Sequence, residues 1–223
     1  MPPVPMLLTL RLAALTTAVL LVLGAPVAWW LATARGRWRP WVEAALALPL
    51  VLPPTVLGFY LLLAMGSQGW LGRLWALAFE RPLAFSFPGL WLAAVVVGLP
   101  FAIQPMLVGF SRVEPELYEA AWTLGATRWQ AFWRIAVPLG APGIATAAAL
   151  CFAHTVGEFG VALMVGGNLP GETQTIAIAI YDHVEALRFD AVHGTAAGLL
   201  AFSYTVLLGI FLLQRRAAAG RGR

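Results

Sequence analysis

The sequence predicts an all-α protein, a polytopic transmembrane helical bundle of about five to six spans. Of its 223 residues, 61% are hydrophobic and 11% are charged, whereas a soluble domain is about 45–50% apolar and about 25% charged. Apolar runs of roughly 20 residues, the length that crosses a bilayer, recur along the chain. We therefore expect residues 1–223 to form a single transmembrane domain.

Five runs are predicted to span the membrane, and they cover residues 12–34, 42–65, 89–110, 139–165 and 195–213. The first is too long for the core of a signal peptide, so we expect it to be retained. Two segments between the runs are too polar to span. Residues 66–87 favour an interfacial amphipathic helix, and residues 173–189 favour a short helix at one mouth of the bundle. The pattern leaves a re-entrant or sixth span open.

Prolines lie inside the second run (Pro49, Pro53 and Pro54) and the third (Pro100 and Pro105). Such prolines are tolerated when neighbouring helices or a polar cavity satisfy the freed carbonyls. They indicate either packed kinks or helices broken beside a pathway, and the residues alone leave both interpretations open.

Arginine placement predicts the orientation. The net charge of +4 comes from arginine alone, because the chain has no lysine. Segments after the first, third and fifth runs hold most of the arginines: Arg35, Arg37, Arg39, Arg112, Arg128, Arg134, Arg215, Arg216, Arg221 and Arg223. The positive-inside rule then predicts an external N-terminus and a cytoplasmic C-terminus. These arginines flank apolar runs and form no basic stripe, which argues against nucleic-acid binding.

A helix–turn–helix is predicted in the cytoplasmic segment from residue 114. Pro115 suits a first helical position, and Gly125 suits the left-handed residue that ends a helix. Thr127 and Gln130 have the spacing of a capping box that opens a second helix, whose continuation Pro138 should limit. Small apolar residues beside the turn suit insertion into a groove of another protein or packing against the chain's own helices: Ala120, Ala121, Leu124 and Gly125.

The same segment resembles the EAA loop of ATP-binding-cassette import permeases of the type I kind. Glu119-Ala120-Ala121, Gly125, Ile135 and Pro138 match that pattern, and Val137 stands where leucine is usual. The resemblance implies that residues 114–138 form a coupling loop that docks on a separate ATPase. It assigns docking to Ala120, Ala121 and Leu124, the turn to Gly125, and a polar contact to Glu119.

No catalytic site is predicted. Without lysine the chain cannot form a standard P-loop, so we expect any ATP hydrolysis to occur in a partner subunit. His154, His183 and His193 lack metal-ligand spacing, and Cys151 suits a packed thiol in an apolar helix. We therefore expect no enzyme activity, no cofactor and no metal.

Three further stretches resemble the molybdate permease family over nearly the whole chain: 48–58, 157–160 and 168–176. That resemblance implies a homodimer in the cell inner membrane, with the pathway between the two chains and an external oxyanion-binding protein. Sulfate permeases share much of the pattern. The choice of molybdate over tungstate or sulfate thus rests on the resemblance and not on a site visible in the sequence.

Pathway and gate candidates are the polar residues within spans. Glu158 is the most prominent, because an ionisable residue at membrane depth is a functional hypothesis by default. It lies one helical turn after His154, and a role in gating and a role in helix packing are both open. Thr55, Thr155, Ser203 and Thr205 suit an oxyanion pathway, although each hydroxyl can instead bond its own helix backbone.

Two rival functions remain open. A secondary transporter driven by an ion gradient would use His154 and Glu158 as a proton relay, although no inverted repeat relates two halves of the chain. A membrane scaffold or sensor would use the cytoplasmic loop to bind another protein without moving any solute.

Overall fold

A computed structural model describes residues 3–34 and 36–219, and this part of the chain is helical without any strand. Arg35, Arg221 and Arg223, which support the predicted orientation, lie outside the described residues, as do the side chains of Arg215 and Arg216. The helices are α1 (Pro3–Thr33), α2 (Arg39–Val51), α3 (Pro54–Met65), α4 (Trp70–Phe79), α5 (Phe87–Ser111), α6 (Pro115–Thr123), α7 (Arg128–Ala131), α8 (Val137–Gly157), α9 (Gly160–Gly166), α10 (Ile176–Glu185) and α11 (Phe189–Ala219).

Four continuous helical stretches are long and apolar enough to cross a membrane: Val4–Thr33, Phe87–Ser111, Arg128–Gly157 and Val192–Leu212. The first, third and fifth predicted spans are therefore confirmed as helices. The second is not one helix, because α2 and α3 are bent by 107° at Leu52 and Pro53. Pro53 disfavours the helical conformation of the residue before it, and Leu52 is extended, with ψ 137°.

The fourth predicted span differs from the sequence expectation at both ends. Pro138 does not limit the preceding helix, since the segment from Phe132 to Ala136 forms a π-helical turn that joins α7 to α8. There the Val137 N–H donates to the Phe132 carbonyl, five residues back. Proline lacks the N–H for an α-helical bond and its ring crowds the carbonyl four residues earlier, so a wider turn preceding Pro138 accommodates it.

At its other end, the fourth span stops early. The prediction of one helix over residues 139–165 is wrong, because α8 ends at Gly157 and the short α9 begins at Gly160. Glu158 between them is extended, with ψ 127°. The α2–α3 pair is therefore one broken span, whereas α8 with the turn before it is long enough to span by itself, and α9 is a separate short helix of seven residues.

The core is a bundle of α1, α5 and α8, with buried residues that include Leu20, Ala28, Ala102, Met106 and Ala147. Glycines bring α5 and α8 together: a Cβ at Gly143 would lie 2.6 Å from the Pro105 carbonyl oxygen. Such close backbone contact is typical of membrane helix pairs, where packing and not hydrophobic burial drives association.

Two short helices cover the end of the bundle opposite the α5–α6 connection. The predicted helix within 66–87 is α4, with Leu71 and Trp75 packed against a buried cluster and Leu77 83% exposed. The predicted helix within 173–189 is α10. Its start is tied to α1, because the Thr9 hydroxyl accepts from the Ile176 N–H at 2.8 Å.

Candidate functional site

The predicted helix–turn–helix is present between α5 and α8. α6 begins at Pro115, and Gly125 follows its end in the left-handed conformation, with φ +83°. The Ala126 N–H donates to the Ala121 carbonyl at 2.9 Å and the Gly125 N–H to the Trp122 carbonyl at 3.0 Å. This pair of bonds is a Schellman motif, which closes the helix end with little conformational freedom.

The predicted capping box opens α7. The Gln130 N–H donates to the Thr127 hydroxyl at 3.2 Å, and the Thr127 N–H donates to the Gln130 side-chain oxygen at 2.8 Å. Both ends of the turn are therefore fixed by hydrogen bonds, so residues 124–127 form a defined shape.

The turn exposes its apolar side chains. Leu124 is 89% exposed, Ala120 and Gly125 are exposed, and Ala121 is half-buried. Glu119 on the same helix is also exposed. A cavity of about 450 Å³ lies beside the turn, and Ala121, Leu124, Gln130, Arg134 and Ile135 are among its lining residues. Pro138 is exposed further along, at the start of α8.

The opposite side of the loop is buried in the bundle. Tyr118 and Phe132 are 4% and 1% exposed, and their rings pack against Trp29 of α1 with centroids 6.2 and 5.3 Å apart. Burial raises the pKa of the Tyr118 phenol. Phe132 also contacts Phe110 at the end of α5. The loop is thus anchored to two core helices while the turn stays accessible. Tyr118 could not be identified from the sequence, because the loop motif does not include it.

The break between α2 and α3 contacts the break between α8 and α9. A Cβ at Gly160 would lie 2.7 Å from the Pro54 Cβ, and one at Gly58 would lie 2.9 Å from the Met164 Cβ. α3 therefore packs along α9, with the Pro53–Pro54 break against the Glu158–Gly160 break. Thr55 stands next to this contact and is exposed.

Glu158 caps the N-terminus of α9. Its Oε1 accepts from the Val161 N–H at 2.9 Å, while its Oε2 lies 3.6 Å from His154 Nε2. The His154 ring stacks on Phe101 with a centroid distance of 3.8 Å. A carboxylate suits the positive end of a helix dipole, which gives Glu158 a structural contact as well as the predicted contact with His154.

The hydroxyl candidates are not gathered around one passage. Thr155 is 2% exposed and donates to the Cys151 carbonyl at 2.8 Å, and Ser203 and Thr205 donate to Leu199 and Ala201 of their own helix. The cavity between Thr155 and Glu158 measures about 10 Å³, roughly enough for one water-sized probe. Ser203 lies on an exposed face of α11. No group of three or more possible metal ligands occurs in the described part of the chain.

A family model described as "binding-protein-dependent transport system inner membrane component" matches residues 8–219. The chain belongs to this family. It is accordingly a multi-pass inner-membrane permease subunit and not an enzyme. Membership also identifies an importer driven by ATP hydrolysis in a separate subunit.

Two relatives of this chain are named for different transported substrates. The molybdenum transport system permease protein ModB of Azotobacter vinelandii is 50% identical over 96% of this chain and 94% of its own length. The sulfate transport system permease protein CysT of Synechocystis is 36% identical over 87% of this chain and 68% of its own length. The predicted resemblance to molybdate permeases is confirmed, and the sulfate permease is the less similar of these two relatives.

The fold is shared with a solved transporter. A crystal structure of a bacterial alginate ABC transporter, in complex with an alginate pentasaccharide-bound periplasmic protein, matches with a TM-score of 0.70. It covers 94% of this chain and 76% of that chain at 20% identity. At that identity the likeness concerns the fold, which is that of an ABC importer permease.

Proposed function

We propose that this chain is the translocating subunit of a molybdate importer, and that residues 114–138 couple it to the ATPase. The observation that carries the coupling role is the contrast between the two sides of the loop. Leu124 is 89% exposed at the turn, whereas Tyr118 and Phe132 behind it are buried against α1. A rigid apolar projection anchored on core helices is suited to transmit a force, because a displacement at the turn moves α1, α5 and α8 together.

Within this loop, Ala120, Ala121 and Leu124 would enter a groove of the ATPase. Small side chains allow close approach, and exposed apolar residues gain free energy when a partner covers them. Glu119 would add a polar contact at the rim. Ile135 and Pro138 would fix the position of the second half of the loop relative to the turn.

We place the pathway between two copies of the chain. The cavity between Thr155 and Glu158 is too small for an oxyanion, so a passage through the middle of one chain is not supported at that depth. The interrupted α2–α3 span exposes large apolar residues, including Trp41 at 80% and Val51 at 81%, which a second copy or lipid would cover. Thr55 at the touching breaks would face the passage.

Glu158 would position the break between α8 and α9, which would act as a gate, without binding the oxyanion. Its charge repels a dianion, and one of its oxygens already accepts from the Val161 N–H. By holding the start of α9 against Pro54, it would set the position of the break. Thr155 and Ser203, whose hydroxyls bond to their own helices, would reach the passage only if those helices moved.

The orientation that fits this role has the loop in the cytoplasm and the N-terminus outside. Arg112, Arg128 and Arg134 belong to the loop region, and Arg37 and Arg39 follow α1, as the positive-inside rule requires of one cytoplasmic side. A periplasmic oxyanion-binding protein would then dock at the end that carries α4 and α10.

The substrate is tested by competition. The chain is reconstituted in proteoliposomes with its ATPase and binding protein, and uptake of radiolabelled molybdate is measured against excess tungstate or sulfate. We expect molybdate uptake that tungstate inhibits strongly and sulfate weakly. Preferential uptake of sulfate would retain the mechanism and refute the assigned substrate.

The docking surface is tested by photo-crosslinking. A benzophenone side chain at Leu124 should capture the ATPase subunit, whereas one at Leu77 of α4, which is 83% exposed, should not. Equal capture from both positions, or capture from Leu77 alone, would contradict the proposed docking surface.

A second function is favoured by one contact, the 3.6 Å approach of His154 Nε2 and Glu158 Oε2. Paired ionisable groups at membrane depth occur in proton relays. Uptake that needs no ATPase and stops when the proton gradient is collapsed would support ion-coupled transport by this pair.

A further inference from the structure

A cavity that contains two arginines lies far from the coupling loop. A cavity of about 1110 Å³ opens between the first turns of α1, the end of α4 and the start of α5. Its walls are largely apolar, with Leu7, Trp75, Phe79 and Phe87 among them, and two arginines line it, Arg11 and Arg81. The proposed transport function uses neither arginine.

Arg11 lies at a depth where a free cation is costly. α1 has 31 residues, so at 1.5 Å per residue it is about 46 Å long, against a hydrocarbon core of about 30 Å. A centred α1 places Arg11 close to the boundary between hydrocarbon and headgroups. A charged side chain at this depth normally pairs with another group or reaches toward the interface.

Neither arginine has an ion-pair partner among the residues that the structure describes, where the pairs are Arg39 with Glu43 and His154 with Glu158. The Arg11 guanidinium instead stands 4.7 Å from the centroid of the Phe87 ring. That contact orients the group without neutralising its charge.

Two more features set the electrostatics of the cavity. Ser86, Phe87 and Pro88, the N-cap and first residues of the 25-residue α5, line it, so the positive end of that helix dipole points toward the cavity. Glu172 also lines the wall and contributes one negative charge. The end of α4, at Phe79, also lines the cavity and adds the negative end of a shorter helix dipole. Two guanidinium groups and the α5 N-terminus, against one carboxylate and that helix end, still give a net preference for an anion.

We propose that this cavity binds an anionic phospholipid of the adjacent leaflet. Arg11 and Arg81 hold its phosphate, and Val4 and Leu7, which are 54% and 71% exposed, flank its headgroup. Its acyl chains leave the cavity past Arg11 toward the membrane centre, along Leu15 and Val22 of the same face of α1, which are 40% and 70% exposed. The apolar walls select a lipid over free inorganic phosphate, and the two arginines select an anionic headgroup over a neutral lipid. The bound lipid contacts α1, α4 and α5 together.

The test uses native mass spectrometry of the full chain in non-ionic detergent, with phosphatidylglycerol, diacylglycerol or inorganic phosphate added separately. We expect a retained phosphatidylglycerol adduct, and no equivalent adduct of diacylglycerol or phosphate. Arg11→Gln and Arg81→Gln should each weaken retention about fivefold, as expected for one cation near a membrane surface. Arg73→Gln is the matched control, because Arg73 is on α4, bonds to Gln68 at 2.9 Å and does not line the cavity.

Glu172→Gln provides a variant whose effect cannot come from misfolding, since it should strengthen the phosphatidylglycerol adduct. Equal retention in all four variants would overturn the proposal. So would diacylglycerol retention equal to that of phosphatidylglycerol, or inorganic phosphate that binds and displaces the lipid. If the lipid is lost whenever two chains associate, the second copy covers the cavity, and this result would also refute the lipid site.

Discussion

At the scale of single residues, the predictions that succeeded concern backbone chemistry. Gly125 was expected at a left-handed helix end and has φ +83°, and the capping box of Thr127 and Gln130 is formed on both sides. Such features are encoded within a few neighbouring residues, so sequence spacing suffices to find them. The capping role of Glu158 could not be found this way, because it depends on where α8 stops.

The backbone at Gly125 gives a direct test of the coupling loop. Gly125→Val forces a β-branched residue into the left-handed region, at a cost of about 1–2 kcal/mol, which should distort the turn. We expect ATP hydrolysis to continue in proteoliposomes while the molybdate imported per ATP falls severalfold.

Gly171→Val is the control for that experiment. Gly171 also has φ +83° and, like Gly125, has no atom within 4 Å of the point where a Cβ would lie, but it belongs to the α9–α10 connection. Equal uncoupling by both substitutions would indicate general strain and not a role for the loop.

The capping role of Glu158 and the role of its charge can be tested separately. Glu158→Gln keeps an oxygen that can accept from the Val161 N–H, whereas Glu158→Ala removes it and should cost about 1 kcal/mol. We expect the apparent melting temperature in detergent to fall for the alanine variant and to change little for the glutamine variant. ATP-driven uptake that vanishes in Glu158→Gln without loss of stability would show instead that the charge is required.

At the scale of elements, the sequence indicated where helices lie but not where they break. The prolines at 53 and 54 raised the possibility of a broken span, yet kinking and breaking have the same local signal. The 107° bend and the extended Leu52 show that the span is broken. Pro138 misled the prediction because a π-helical turn removes the conflict that its ring would cause. The turn begins at Phe132, whose ring is buried against Trp29, a tertiary contact that sequence spacing does not show.

The contact between the two breaks is tested by a pair of glycines. A Cβ at Gly160 would lie 2.7 Å from the Pro54 Cβ, whereas Gly157 has nothing within 4 Å of its Cβ position. Overpacking costs about 1–3 kcal/mol, so Gly160→Ala should lower the thermal stability in detergent and Gly157→Ala should not. Equal stability of the two variants would mean that the breaks are not in close contact.

The capping box of α7 can be tested as an element. Thr127→Ala removes the acceptor of the Gln130 N–H and should cost about 1 kcal/mol. Amide hydrogen exchange should then accelerate in residues 128–131, with Thr127→Ser close to the parent protein. Unchanged exchange in Thr127→Ala would show that tertiary contacts alone hold the start of α7.

At the scale of the whole molecule, composition and hydropathy predicted the fold class, and the EAA pattern predicted the family. Both predictions follow from signals spread over many residues, so the errors in the helix boundaries at Pro138 and Gly157 did not affect them. The residues proposed for the pathway were less predictable. Thr55 and Glu158 lie at touching breaks, but Thr155 and Ser203 bond to their own helices, and the proposed passage between two copies is not encoded in any single segment.

The ATP-driven transport mechanism is tested by molybdate uptake into proteoliposomes that contain the chain, its ATPase and its binding protein, with and without ATP and with the proton gradient collapsed. This mechanism predicts uptake that requires ATP and both partners and that continues when the proton gradient is abolished. Uptake that proceeds without ATP, and stops when the gradient is collapsed, would contradict it.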